Sequence, residues 1–302
     1  MYFIKISSHS ITYLSAALFR EWNIFWMCTR RDLIISILAG AFFMSIPLST
    51  LEYSPANFSN FLLGIVYFAF FIYQFDISNQ INGVEADKID KPDRPIVSGL
   101  VSLEGANMRY IALIFAYLTL SIFLNVFWWT LLWVIVTYFH NAQKWDRHWF
   151  TKNILAMGLG SFSQLGAAWC IIAPLTTTAY CWIIVVSVWL GVTIPLQDFS
   201  DQEGDKASNR KTLPLLVGDL KARKIMIAIW TLAMLSTTAV FMFLSMGSFF
   251  YMSYVFGALF IVGHLIIMAR LWKYRTPKED KLTYNLQTIL YCIILLSSFC
   301  IQ

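Results

Sequence analysis

The sequence predicts an all-α integral membrane protein, a bundle of nine membrane-spanning helices, and three observations lead there. Hydrophobic residues make up 58% of the 302-residue chain and charged residues 13%, with a mean hydropathy of +0.63, which leaves too little polar surface for a water-soluble domain of this length. Apolar runs of about 18 or more residues, long enough to cross a bilayer core, recur roughly at 33–51, 57–78, 107–124, 127–142, 154–173, 179–197, 222–245, 249–271 and 284–301. Charge, finally, is confined to alternate connections.

That segregation tests the count. With the N-terminus on one side, the connections 79–106, 143–153, 198–221 and 272–283 share that side. Together with the N-terminal segment and the bordering helix ends, they carry all 22 Lys and Arg residues. The opposite connections carry none, and their only acid is Glu52. Cationic connections stay cytosolic, so the net charge of +5 reports orientation and implies no nucleic-acid partner.

The elements follow in order. Residues 1–32 lack the compact apolar core and small-residue cleavage site of a signal peptide. Tyr13, Leu14, Ala17 and Leu18, then Trp22, Phe25 and Trp26, recur at helical spacing up to Arg30-Arg31, which reads as an interfacial helix leading into the first span. Gly64, Gly158 and Gly160 suit close helix packing. Spans three and four are nearly continuous, and Asn125 marks the turn between them. Five cysteines (28, 170, 181, 292, 300) without CxxC spacing, with four scattered histidines, give neither a disulfide framework nor a zinc site. No obligate protein partner is evident.

Two acidic stretches interrupt this apolar chain: Asn79-Gln-Ile-Asn-Gly-Val-Glu-Ala-Asp87 and Asp198-Phe-Ser-Asp201-Gln-Glu-Gly-Asp205. Basic residues, then a proline and a glycine, follow each: Pro95 and Gly99 after the first, Pro214 and Gly218 after the second. Each motif follows the second helix of a four-helix set. The sets read as parallel repeats, spans one to four and five to eight, with the ninth helix extra. If each motif prolonged the helix before it, Asp76, Asn79, Gly83 and Asp87 would fall within about an 80° arc, and Asp198, Asp201 and Asp205 would share a face. Facing rows of oxygen ligands suit Mg²⁺, which prefers octahedral oxygen coordination and bridges carboxylates to substrate phosphates. Lys91, Arg94, Lys144, Lys206, Arg210 and Lys211, with Arg147 and Lys152, are candidates to neutralise the remaining diphosphate charge.

In these residues the chain resembles the UbiA superfamily of intramembrane prenyltransferases across essentially its whole length. Asn79, Gln80, Asp87, Lys91 and Pro92 match the first motif of that family, and Asp198, Asp201, Gly204 and Asp205 match the second, Asp-x-x-Asp-x-x-Gly-Asp. Gly83 departs from it, standing where the prenyltransferases carry a middle aspartate, and Asp90 stands where Asn is usual; Asp76 or Glu85 would have to compensate. The resulting Asn-x-x-x-Gly-x-x-x-Asp pattern, with Trp-Asp-Arg-His-Trp at 145–149, resembles the fungal UbiA-type membrane-bound terpene cyclases.

The resemblance implies one UbiA-like membrane domain over 1–302, with 1–32 a cytosolic or interfacial segment. It implies a multi-pass protein, of the endoplasmic reticulum if eukaryotic, whose active-site loops face the cytosol. It also implies a Mg²⁺-dependent class I terpene cyclase that ionises farnesyl or geranylgeranyl diphosphate and closes the allyl cation into a terpene. Asn79, Asp87, Asp198, Asp201 and Asp205 would be the catalytic metal ligands. Aromatic faces stabilise such cations by about 0.5–2 kcal/mol each, and Phe68, Phe71, Tyr73 and Trp189 are candidates to line the cavity. A prenyltransferase would use the same ionising residues and differ by a polar pocket for an acceptor. A transporter, the remote alternative, would place ionisable groups inside the spans, where only Asp76 and His264 qualify. An acid at mid-membrane costs about 2.5–3.5 kcal/mol, which places Asp76 near the interface, and His264 reads as a satisfied packing residue.

Overall fold

Inside a bilayer every backbone polar group must bond to the chain itself, and the apolar runs meet that demand as helices. The computed structural model describes residues 8–246 and 250–301; among these, helices carry the fold and the one β-bridge joins His148 to Lys211. Helix α1 (Ser8–Thr29) lies outside the bundle, with Leu18, Phe19, Trp22 and Trp26 exposed and Ile24, Phe25 and Cys28 packed inward. An 84° bend separates it from a widened turn, Ile34–Leu38, that runs into α2 (Ala39–Thr50).

Helix α3 (Pro55–Asn82) begins at a proline, whose ring suits the first helical position, and is capped by Ser54 Oγ, which accepts from Asn57 N at 3.1 Å. The short α4 (Val84–Asp90) follows, then α5 (Leu103–Phe123) and α6 (Phe127–Asn141), separated by a turn with Asn125 at φ 56° as its spacing predicts. A second widened segment, Phe150–Met157, leads into α7 (Gly158–Ile172). Next come α8 (Thr177–Thr193), a 3₁₀ segment at Ile194–Phe199, and the short α9 (Gln202–Ala207) and α10 (Leu213–Val217). Helices α11 (Asp219–Leu244), α12 (Phe250–Lys273) and α13 (Pro277–Leu296) complete the chain.

Seven of these helical runs are long and apolar enough to cross a membrane, eight if α1 and α2 make one bent span. The nine expected spans are not all reached on length and apolarity among the described residues. Helix α6 has 15 residues, a rise of about 22 Å against a hydrocarbon core of about 30 Å. Helices α3, α7, α8 and α13 bury half or more of their spanning length, and α5, α11 and α12 under a third. The first four therefore form the inner wall. Gly160 permits close approach there, because a Cβ at that position would meet the Trp133 ring at 2.5 Å. Gly64 faces Met44 in the same way, and Gly158 faces Gly191. Among the described residues all five cysteines are free.

Both acidic motifs sit where a spanning helix breaks. Helix α3 stops at Gly83 (φ −114°, ψ 19°) before α4 begins, and α8 tightens into its 3₁₀ segment before α9. The uninterrupted helices assumed for the ligand rows do not form. Instead α4 and α9 fold back and pack against each other over the bundle's end.

Candidate active site

A cavity of about 1130 Å³, its open mouth included, runs from this end into the bundle. Its mouth is charged: Asn79, Asp87, Lys91, Arg94, Asp201 and Arg210 line it, with Asp146 and Lys152 beside them. Its floor is apolar and aromatic, formed by Phe71, Ile72, Phe75, Trp133, Met157 and Leu190. Trp133 is stacked on Phe71 (centroids 4.7 Å, 9°) and on Phe75 (5.0 Å, 23°), and its Nε1 donates to Phe71 O at 3.0 Å.

Each predicted ligand carboxylate is ion-paired within the chain. Arg94 Nη1 donates to both Asp87 oxygens at 2.8 Å and to Asn79 Oδ1 at 3.3 Å. Lys91 Nζ lies 3.8 Å from Asp201, a contact joining the first motif to the second. Arg210 bridges Asp205 at 3.0 Å and Asp146 at 2.8 Å. Lys152 Nζ donates to Asp198 Oδ1 at 2.6 Å, and Asn153 Nδ2 to its Oδ2 at 3.1 Å. Burial costs these charges solvation, and the pairing recovers it.

The titration directions agree with this. Burial depresses Lys91 below the usual lysine range, and the neighbouring Arg94 charge adds to the effect. Burial alone would raise Asp201, but Lys91 and Lys152 outweigh it and hold that carboxyl below the ordinary range. Arg94 and Arg210 are likewise buried against their charge, yet Asp87 for the one and Asp146 with Asp205 for the other push them upward.

The sequence-predicted residues divide. Asn79, Asp87 and Asp201 line the cavity, while Asp198 and Asp205 are fully buried in the wall behind it. Among the described residues no three carboxylates, histidines or cysteines converge tightly enough to grip a metal ion by themselves. Of the cations, Lys91, Arg94, Lys152 and Arg210 line the cavity. Lys144 lines a separate outer cleft with Gly83 and Arg147, and Lys206 and Lys211 are exposed, so these three are not brought to the site. Phe71 alone of the four aromatic candidates lines the floor. Phe68 packs over Gly40, Tyr73 meets Phe25 of α1, and Trp189 donates to His264 Nε2 at 2.9 Å within a Trp230–Tyr291 cluster. His264 is the satisfied packing residue its setting predicts, its Nδ1 held by Phe260 O at 2.7 Å. Glu85 is exposed and paired with Lys88, whereas Asp76 is 2% exposed and lines the cavity.

Sequence reasoning missed Trp133, Phe75, His140 and Tyr284 in the wall, and Asp32, Asp146 and Gln164. Only Asp146 carried a signal, as the lone acid of the 145–149 stretch. A Cβ at Gly83 would come within 2.9 Å of Asn79 O and 3.8 Å of its Oδ1. A side chain there would crowd the asparagine that Arg94 holds.

Oxygen donors in depth, cations beside them and an apolar floor below define a site for an anionic head on a hydrocarbon tail. The model of the UbiA prenyltransferase family matches residues 33–292, and the chain belongs to this family. It is accordingly an integral, multi-pass membrane protein and an enzyme of the UbiA superfamily. A diterpene cyclase of Hericium erinaceus is 38% identical over 288 residues, covering 94% of this chain and 90% of its own. The somaliensene A/B synthase of Streptomyces somaliensis is 31% identical (92% and 93% covered), and a polyprenyl transferase of H. erinaceus 33% (92% and 94%). A UbiA homolog from Archaeoglobus fulgidus, solved with GPP and Mg²⁺, shares the fold at a TM-score of 0.67 and 18% identity, with 91% of this chain and 99% of that one covered.

Proposed function

We propose that this enzyme is a Mg²⁺-dependent class I terpene cyclase that ionises farnesyl or geranylgeranyl diphosphate and closes the allyl cation into a cyclic terpene, releasing diphosphate. The observation that carries the reading is the single cavity graded from a charged mouth to an aromatic floor. Two polar side chains of the lining are engaged by the protein: Gln164 Nε2 donates to Ile35 O at 3.1 Å and Ser36 O at 2.7 Å, and Ser161 Oγ is 3.3 Å from Tyr291 OH. Similarity to a diterpene cyclase and the glycine at 83 support the same reading.

The residues fit a magnesium ion: hard oxygen donors, with Asp205 Oδ2 buried and without a hydrogen-bond partner. Asn79, Asp87, Asp201 and Asp205 would hold it, and Asp198 would join them only by releasing Lys152. Bound there, the ion supplies Lewis-acid stabilisation of the leaving diphosphate. Arg94, Lys91 and Arg210, which now pair with those carboxylates, would be the cations available to the diphosphate oxygens. Lys152, fixed by Asp198, adds charge at the wall. Below, Phe71, Trp133 and Phe75 present ring faces to the developing cation and exclude the water that would trap it as an alcohol. The ends of α3 and α8 hold this constellation on what the charge pattern reads as the cytosolic face. Similar left-handed glycines, Gly99 (φ 78°) and Gly218 (φ 84°), support reading the halves as parallel repeats of one domain.

The test is incubation of membranes carrying the protein with each prenyl diphosphate and Mg²⁺, without acceptor, followed by gas chromatography. A cyclic hydrocarbon is expected. Hydrolysis alone, until an aromatic acid is added, would replace this reading with prenyl transfer.

A further inference from the structure

Asp76 is the acid that the ionising machinery leaves unused. It lies on α3, is 2% exposed, lines the cavity, and its Oδ2 has no hydrogen-bond partner. A buried carboxylate oxygen without a donor is destabilising, and an acid placed inside a membrane bundle is by default functional. Its depth points to the function. Asn79, which Arg94 holds at the mouth, stands one turn closer to the surface on the same helix, about 4.5 Å of rise above it. Ile72 and Phe75 of the floor stand beside it and one turn below. Asp76 therefore sits at the border where the charged mouth ends and the hydrocarbon begins. Of the other cavity carboxylates, Asp87 is committed to Arg94, Asp146 to Arg210 and Asp201 to Lys91, while Asp32 lies off α3, on the turn before α2. The charged groups facing Asp76 are Asp32 from the turn before α2, and Arg94, Lys91 and Asp87 from the α4 region.

We propose that Asp76 is the terminal base of the cyclisation, an assignment that rests on the cyclase reading above. After ring closure the cation carries C–H bonds next to its electron-deficient carbon. One such bond breaks, and its electron pair becomes the product's new C=C bond. The proton goes to Asp76 Oδ2, giving the neutral acid. The acid then returns the proton to the departing diphosphate at the mouth. The overall change is prenyl diphosphate to cyclic alkene, diphosphate and one proton, with no oxidant or co-reactant.

The experiment uses the full-length protein in membranes with a prenyl diphosphate and Mg²⁺, following diphosphate release and organic products together. Wild type must first yield an acceptor-free cyclic hydrocarbon; if it does not, the cyclase reading falls and this assignment with it. Given that product, Asp76→Asn is expected to release diphosphate within about threefold of wild type. Its share of the native hydrocarbon should fall at least about tenfold, in favour of alcohols or double-bond isomers. Asp76→Glu keeps the carboxylate but shifts its oxygens by one methylene, and is expected to restore alkene with an altered isomer ratio. An unchanged native product from Asp76→Asn overturns the proposal. So does a loss of diphosphate release above about a hundredfold, which would place Asp76 among the ionising groups. Should Asp76→Asn not fold, Asp76→Glu decides alone: a native isomer ratio overturns the assignment.

Discussion

Arg94 shows how much of this site depends on single atoms. One guanidinium nitrogen serves both Asp87 oxygens and reaches Asn79, so removing the acid strands a buried charge. Asp87→Ala and Asp205→Ala are each expected to cut diphosphate release at least about a hundredfold. Asp87→Ala should also lower stability by about 3–5 kcal/mol, the usual cost of breaking a buried pair from one side, measured as a fall in the thermal transition. The floor makes the complementary prediction. Phe71→Ala removes the ring under Trp133 and should redistribute products in chromatography while ionisation continues. Tyr73→Ala and Trp189→Ala, outside the cavity, should leave the product pattern intact. Side-chain rotation explains why sequence reasoning chose three of the four aromatics wrongly. Phe71 and Tyr73 are separated by about 200° around the same helix, and only packing decides which faces inward. The motif residues were legible for the opposite reason. A carboxylate in so apolar a chain is costly wherever it stands, and Asn79, Asp87 and Asp201 do reach the cavity.

Among the elements, the breaks in α3 and α8 matter more than the helices. Hydrophobic runs located the helices because spanning length and apolarity are written residue by residue. The breaks were not legible, since helical phasing gives equally coherent ligand rows for an uninterrupted helix. Gly83 permits the first break. A Cβ there would press on Asn79 O at 2.9 Å, so Gly83→Ala is expected to lower turnover and the thermal transition together. The second break is steadied from behind by Arg223, which the charge pattern treats only as a topology signal. Its guanidinium pairs with Asp280 through two bonds of 2.8 Å, with Asp219 at 2.9 Å, and lies 4.6 Å over the ring of Phe199, the neighbour of Asp198. Arg223→Ala should cost about 3–5 kcal/mol and loosen α11, α13 and the second motif, read as faster amide exchange at 196–205.

For the molecule as a whole, the concentration of cations at one end predicts a cytosolic orientation for that end, which also carries the mouth. Cysteines introduced at Tyr53 and Glu203, on opposite ends of the bundle, should label from opposite sides of sealed vesicles. Labelling of both from one side would overturn the topology. The internal ion pairs make a further prediction. A chelator should leave the thermal transition of the metal-free protein unchanged, whereas Mg²⁺ with inorganic diphosphate should raise it through linkage to the native state.

Those pairs bear on how the enzyme comes into being. Each of the four aspartates predicted as ligands already has a cationic partner within the chain, so their charge is balanced by the polypeptide itself. Folding is accordingly expected to proceed without added metal, and refolding in the presence of a chelator would check it.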